Sequence, residues 1–93
     1  MMAEIDTAAR PAIGAGFRLQ WESAQEAHVL LYPEGMVRLS RSAAAIMTRC
    51  DGERSVAAIV ADIEREYSVT GLSADVHAFI RLALERCWLE LRP

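Results

Sequence analysis

The hydrophobic pattern changes period once, at Ser40, and that switch limits the fold more than any other feature of the chain. Up to Leu39 the apolar residues alternate; beyond Ser40 they recur every three or four positions. Phe17, Leu19 and Trp21 alternate with Arg18, Gln20 and Glu22, which predicts a half-buried strand. Val29 to Tyr32 is apolar on both faces and reads as the middle strand of a sheet. Met36 to Leu39 alternates again, with Val37 and Leu39 on one face and Met36 and Arg38 on the other. Between the last two strands, Pro33-Glu34-Gly35 reads as a short hairpin loop. Pro33 presets φ there, and Gly35 is able to take the positive φ that closes such a loop.

Three helices are expected after the switch. Ser40 or Ser42 caps the first, whose stripe is Ala43, Ile46, Met47 and Cys50, and Asp51-Gly52 ends it. Ser55 opens the second, with Val56, Ile59, Val60, Ile63 and Tyr67 on one face. Gly71 breaks the chain and Ser73 caps the third, with Val76, Phe79, Ile80, Ala83, Leu84 and Cys87 facing the core. Trp88 to Leu91 is too short to be more than a closing extension. No helix separates the strands, so a doubly wound sheet is excluded and the helices must cover one face of the meander. The expected class is α+β: a three-stranded antiparallel meander followed by three helices. Helices 55–67 and 73–87, joined by a short Gly-containing link, make it winged helix-turn-helix-like. Residues 1–14 read as a flexible N-terminal segment and 15–93 as the folded domain.

Composition narrows the function. Ninety-three residues, 53% of them hydrophobic, form one domain that buries about 60–65% of its unfolded surface without a staple. Net charge is −3 and every cation among the Lys and Arg residues is an arginine, a poor footprint for nucleic acid. Cys50 and Cys87 stand in neither a CxxC nor a zinc-knuckle pattern, which suits a reducing compartment. There is no signal-peptide pattern and no apolar run near the ~20 residues of a membrane span. A small soluble cytoplasmic protein without a cofactor or metal is expected. His28, His77, Glu34 and Asp51 are isolated groups with no partner that would make a catalytic set, and both cysteines fit packing roles on helix stripes.

The second face of the third helix is more informative. Asp75, Ala78, Phe79, Leu82 and Arg86 cluster there, and Leu82 is apolar although it lies off the core stripe. One reading is a wide core stripe. The other is one wall of a groove whose second wall is the edge strand Met36–Leu39. An extended peptide would hydrogen-bond to the strand and set alternate side chains against Phe79 and Leu82, with Arg38 and Arg86 as flanking cations.

The sequence resembles PqqD over about residues 10 to 90. The resemblance is carried by Phe17-Arg18-Leu19, Leu30-Leu31-Tyr32-Pro33-Glu34, Val37-Arg38-Leu39-Ser40, Ile46-Met47 and Cys50-Asp51-Gly52, then Val56, Ile59-Val60, Asp75-Val76 and Phe79-Ile80. Cys87 stands before Trp88 where that family commonly has Gly, and Ser40 stands where Asn is expected. The resemblance implies a non-catalytic peptide chaperone of pyrroloquinoline quinone (PQQ) biosynthesis, a free-standing recognition element for ribosomally made peptides. It implies that precursor peptide PqqA adds as a strand and is presented to the radical SAM enzyme PqqE, which joins a Glu and a Tyr of that peptide. Placed on this chain, the implied peptide-binding residues are Met36, Val37, Arg38, Leu39, Ser40, Asp75, Phe79, Leu82 and Arg86. The rival readings are a DNA-binding winged-helix regulator and a thiol- or quinone-handling protein. An open edge beside apolar residues is also a pairing hazard. Without peptide that edge is expected to be occupied either by the N-terminus or by a second chain, the latter giving a homodimer through the edge or through exchanged elements. The charged side of the second helix, around Glu64, Arg65 and Glu66, reads first as a solvated face, with contact to PqqE as the second reading.

Overall fold

The computed structural model describes residues 5–92. In chain order the elements are β1 (Arg10–Ile13), β2 (Arg18–Glu22), β3 (Ala27–Tyr32), β4 (Gly35–Arg38), α1 (Arg41–Met47), α2 (Val56–Glu66), α3 (Ser73–Glu85) and β5 (Leu89–Arg92). β2, β3 and β4 form an antiparallel sheet in that order, and β1 pairs with β5 in a separate two-stranded sheet. The expected α+β layout of three-stranded meander and three helices is therefore present, with the β1–β5 ribbon added to it.

The register explains which face of the meander is buried. Leu19, Leu30 and Val37 lie in one cross-strand row, and all three pack on the helical core. Leu30, Met47, Val56, Ile59 and Ile80 are at most 1% exposed, so the core joins the central strand to all three helices. Val29, on the opposite face, is also fully buried; it pairs with Gln20 and Arg38, whose long side chains flank it. That is why β3 reads as apolar on both faces. Trp21 departs from the expected half-buried strand. It is 53% exposed, and its ring meets that of its cross-strand partner His28 edge-on at 5.2 Å. The β3–β4 loop is also tighter than expected. Tyr32 pairs with Gly35, so the loop is Pro33-Glu34 alone and Gly35 opens β4 without a positive φ.

Serine side chains start two helices as read from the sequence. Ser40 Oγ accepts from the Ala43 N–H at 3.2 Å and Ser55 Oγ from the Ala58 N–H at 3.1 Å. Ser73 does not cap α3 but is its first residue; the flanking Leu72 N–H is taken instead by the Glu64 carboxylate at 2.9 Å. α1 ends at Met47, earlier than Asp51-Gly52, where the Thr48 hydroxyl turns back to the Ala44 carbonyl at 2.7 Å. Cys50 lies beyond that end yet stays buried. Tyr67 caps α2 at its C-terminus and is 53% exposed, off the stripe predicted for it.

The ends of the chain differ most from expectation. Residues 10–13 fall inside the segment read as a flexible leader, but form β1, with Pro11 and Ala12 buried. Residues 89–92, read as a closing extension, are its partner β5. On its other side β1 is tied to the α1–α2 connection. Ala12 bridges Asp51, and the Gly52 and Val56 N–H groups donate to the Pro11 and Ala9 carbonyls, both at 2.9 Å. The part of the leader reading that concerns residues 1–4 lies outside the described residues.

Candidate functional site

β4 is an edge strand, and its hydrogen-bond phase can be worked out. The Leu39 N–H donates to the His28 carbonyl at 3.0 Å, so the pair His28–Leu39 is a bonded one. In an antiparallel ladder bonded and non-bonded pairs alternate. Leu30–Val37 and Tyr32–Gly35 are then bonded too, whereas Val29–Arg38 and Leu31–Met36 are not. The N–H and C=O groups of Met36 and Arg38 therefore point outward, away from β3. Among the described residues no strand or bridge takes that outer edge.

Side chains on β4 divide between the two sheet faces. Val37 and Leu39 face the helices, Val37 half-buried and Leu39 buried. Met36, 48% exposed, and Arg38 face the other way; the Met36 sulfur is 4.0 Å from the Gln25 side-chain amide. Arg38 is thus on the opposite sheet face from the α3 wall, not beside it. A cleft of about 1200 Å³ opens where β4 hands over to α1. Of the residues singled out by sequence, Ser40, Asp75 and Phe79 line it together, with Val76 and Leu72 on its apolar floor. Arg38, Leu39 and Ser40 share a smaller hollow of about 670 Å³ with Trp21 and His28. Leu82 and Arg86 lie in neither. Leu82 is exposed at 38% further along α3.

Arg86 and Phe79 share a neighbour that sequence reasoning missed. The Arg86 guanidinium carbon stands 5.3 Å from the centroid of the Trp88 ring, and the Phe79 ring is 6.5 Å from the same indole. Trp88 follows Cys87, which the structure places past the end of α3 with φ +63°, exposed and off the core stripe. The Trp88 N–H donates to the Ala83 carbonyl at 2.9 Å and the Cys87 N–H to Leu84 at 3.1 Å. These are the paired bonds of a Schellman end, which folds the second residue past the cap back onto its helix. The signal was present as an apolar residue two places past the cap. It was obscured because the left-handed position holds Cys and not Gly.

The charged groups around this site mostly hold helices together. Arg49, at 12% side-chain exposure, reaches Asp62 at 2.6 Å and also pairs with Glu66, tying the end of α1 to α2. Burial opposes its charge, but the hydrogen bonds to Asp62 and Glu66 outweigh that and raise its pKa further. The same contact with Arg49 holds the Asp62 carboxyl below its ordinary range. Glu66 and Glu64, on the charged side of α2, are engaged with Arg49 and with the Leu72 N–H. Cys50 is pushed up to about 12 by burial, with Asp51 adding to it, and its thiol donates to the Ile46 carbonyl at 3.2 Å. No group of three or more His, Cys, Asp or Glu able to hold a metal ion occurs among the described residues. Among them, too, no helix is long and apolar enough to cross a membrane.

Fold and site together define a small α+β domain in which the outer edge of β4 is open among the described residues and α3 carries the part-exposed Leu82. A solved structure has the same architecture: the solution NMR structure of the PqqD truncation of Methylobacterium extorquens PqqCD, described as a functional, stand-alone recognition element for ribosomally synthesized and post-translationally modified peptides. The two are 29% identical, each covered over 95% of its length, with a TM-score of 0.68. The family described as Coenzyme PQQ synthesis protein D (PqqD) matches residues 27–89. A PqqA binding protein of Stutzerimonas stutzeri is 52% identical over 98% of this chain and 100% of its own length. Another, of Azotobacter vinelandii, is 50% identical over 87% of this chain and 89% of its own. The chain belongs to the PqqD family.

Proposed function

We propose that this chain is a non-catalytic peptide chaperone of PQQ biosynthesis, which binds the precursor peptide PqqA as a fourth strand on the outer edge of β4. The observation that carries the reading is the outward phase of Met36 and Arg38, whose main-chain groups are free to pair with an added strand. The names of the relatives support the choice of peptide. In this reading Val37 and Leu39 set the inner side of the groove. Asp75, Phe79, Leu82 and Arg86 form its α3 wall, and Ser40 marks where the peptide leaves the strand for the cleft. Bound in this way, the peptide is presented to the radical SAM enzyme PqqE in the cytoplasm. Without peptide, the open edge pairs with a second copy of the chain, directly or with exchange of elements, so peptide and dimer compete.

The test is a pair of proline substitutions followed by titration with synthetic PqqA. Proline removes an N–H donor, which is tolerated where that donor faces outward on an edge strand. Arg38→Pro is expected to keep the fold and to weaken peptide binding. Val37→Pro loses an inward bond to β3 and is expected to disrupt the sheet itself. Unchanged PqqA affinity in folded Arg38→Pro, with no amide shifts at Met36 and Arg38 on titration of the unaltered chain, would show that strand addition is wrong. Sedimentation with and without saturating PqqA tests the dimer, which must dissociate as peptide binds.

A further inference from the structure

We infer that Trp88 is a positioning residue for the peptide-binding face of α3, and that the N-terminal strand β1 sets its place. The inference rests on the reading of β4 and α3 as the two walls of the groove.

Trp88 is fixed from two directions. The Schellman end of α3 holds its N–H on Ala83 at 2.9 Å. Its carbonyl accepts from the Gly14 N–H at 2.8 Å, immediately after β1. The next residue, Ala15, donates to the Glu90 carboxylate at 2.9 Å, so β1 and the start of β5 are locked in register around Trp88. This approach demands glycine at position 14: a Cβ there would stand 2.2 Å from the Cys87 carbonyl oxygen, and that oxygen is backbone and cannot swing aside. The indole so placed supports two of the four α3-wall residues, Phe79 against its ring and Arg86 over its face. Phe79 also lines the cleft beyond β4. A shift of Trp88 therefore unseats an aromatic ring and a guanidinium that lie on the proposed peptide path, although Trp88 itself lines neither hollow there. Residues 10–14, remote from the bound strand in sequence, are in this way part of the binding apparatus.

The test uses the full chain and synthetic PqqA. Trp88→Leu keeps an apolar residue for the Schellman contact but offers no ring, and Trp88→Phe restores one. Trp88→Leu is expected to weaken PqqA about tenfold and Trp88→Phe less than threefold. In a Phe79→Ala background, Trp88→Leu is expected to change affinity less than twofold, because an effect routed through Phe79 disappears with it. Nuclear Overhauser contacts from the Phe79 ring to its cleft neighbours Leu72 and Val76 should weaken in peptide-free Trp88→Leu, a change that loss of the indole ring current alone does not produce. An equal loss in both backgrounds, or unchanged Phe79 contacts with unchanged affinity, overturns the inference. Failure of the groove reading has a different signature: Arg38→Pro and Leu82→Ala would then leave affinity unchanged as well. Silent Trp88 variants beside weakened groove variants sink only the positioning role.

Discussion

Cys87→Gly is expected to stabilise the protein. Cys87 sits at φ +63° in the Schellman end of α3, a left-handed conformation that crowds the Cβ of an L-residue. That crowding costs about 1–2 kcal/mol. Glycine removes it but gives back about 0.4–1 kcal/mol through the greater freedom of its unfolded chain. The Cys87 side chain is exposed, so no packing is lost to offset the gain. The difference spans about 0–1.6 kcal/mol and centres on a gain of about 0.8 kcal/mol. For a chain of 93 residues that central gain corresponds to a rise in Tm of about 3–6 °C.

The assay is reversible thermal unfolding followed by far-UV circular dichroism, with a urea midpoint to check that the m-value is unchanged. Cys87→Ala is the control: it deletes the thiol but keeps the Cβ, so it should leave Tm within a degree or two of the parent. Ser68, φ +54°, holds the equivalent position after α2, and Ser68→Gly should shift Tm in the same direction. Equal stabilisation by Cys87→Ala and Cys87→Gly would show that the thiol, not the backbone, is at fault, and the reasoning would be wrong.

Two further outcomes follow from the buried and titrating groups. Cys50 is 3% exposed with its thiol pushed up to about 12, and Cys87 is exposed, so a thiol reagent at neutral pH should label one cysteine in the native state. The second should react only on unfolding; rapid labelling of both would contradict the packing around Cys50. Acid stability should carry the mark of Asp51 and Asp62. The Arg54 and Glu53 N–H groups hold the Asp51 carboxyl below its ordinary value of 3.8, and the Arg49 hydrogen bond does the same for Asp62. A carboxylate with a lowered folded pKa contributes stability that is fully present above the unfolded value. That stability is lost as pH falls below it toward the folded pKa. The urea midpoint should therefore drop below about pH 4, and Asp51→Asn, which can still accept both N–H bonds, should flatten the slope. An equally steep slope in Asp51→Asn would remove Asp51 as a cause.

The main sheet and the helices were legible because their stripes have one period each and few breaks. Leu19, Leu30 and Val37 announce a common face, and the serines at 40 and 55 announce helix starts by the bonds they make. The β1–β5 ribbon was not legible. Arg10–Ile13 has no alternation of its own, and its burial comes from Asp51, Gly52 and Leu89, all distant in sequence. Nor could the sequence show that Arg38 faces away from α3, since that depends on the sheet face the helices cover. The resemblance to PqqD named Asp75, Phe79, Leu82 and Arg86 of α3 as candidates. It could not show Trp88 behind Phe79, because that contact depends on a helix end closed by a left-handed cysteine.

Magnitudes also decide which wall of the proposed groove carries the affinity. Met36 and Arg38 can offer at most four outward main-chain hydrogen bonds, each contributing about 0.5–1.5 kcal/mol net. Their sum, roughly 2–6 kcal/mol by that measure, barely meets the lower end of the ~4–15 kcal/mol lost when two molecules associate. An edge of this length sets register and direction but cannot hold a peptide alone. The surplus has to come from apolar surface covered on binding, and Leu82 is the cleanest place to measure it. It is 38% exposed on the α3 wall, so truncation creates little cavity in the free protein. Completing the burial of a leucine that is already partly covered contributes about 1 kcal/mol, which is roughly fivefold in affinity. Leu82→Ala should therefore weaken PqqA about fivefold while changing the urea midpoint little. Arg38→Pro, which removes a single outward donor, should weaken it by a similar or smaller factor. Should Leu82→Ala bind PqqA as tightly as the parent while Arg38→Pro abolishes binding, the affinity would reside in the strand edge, and the α3 wall would have to be assigned another role.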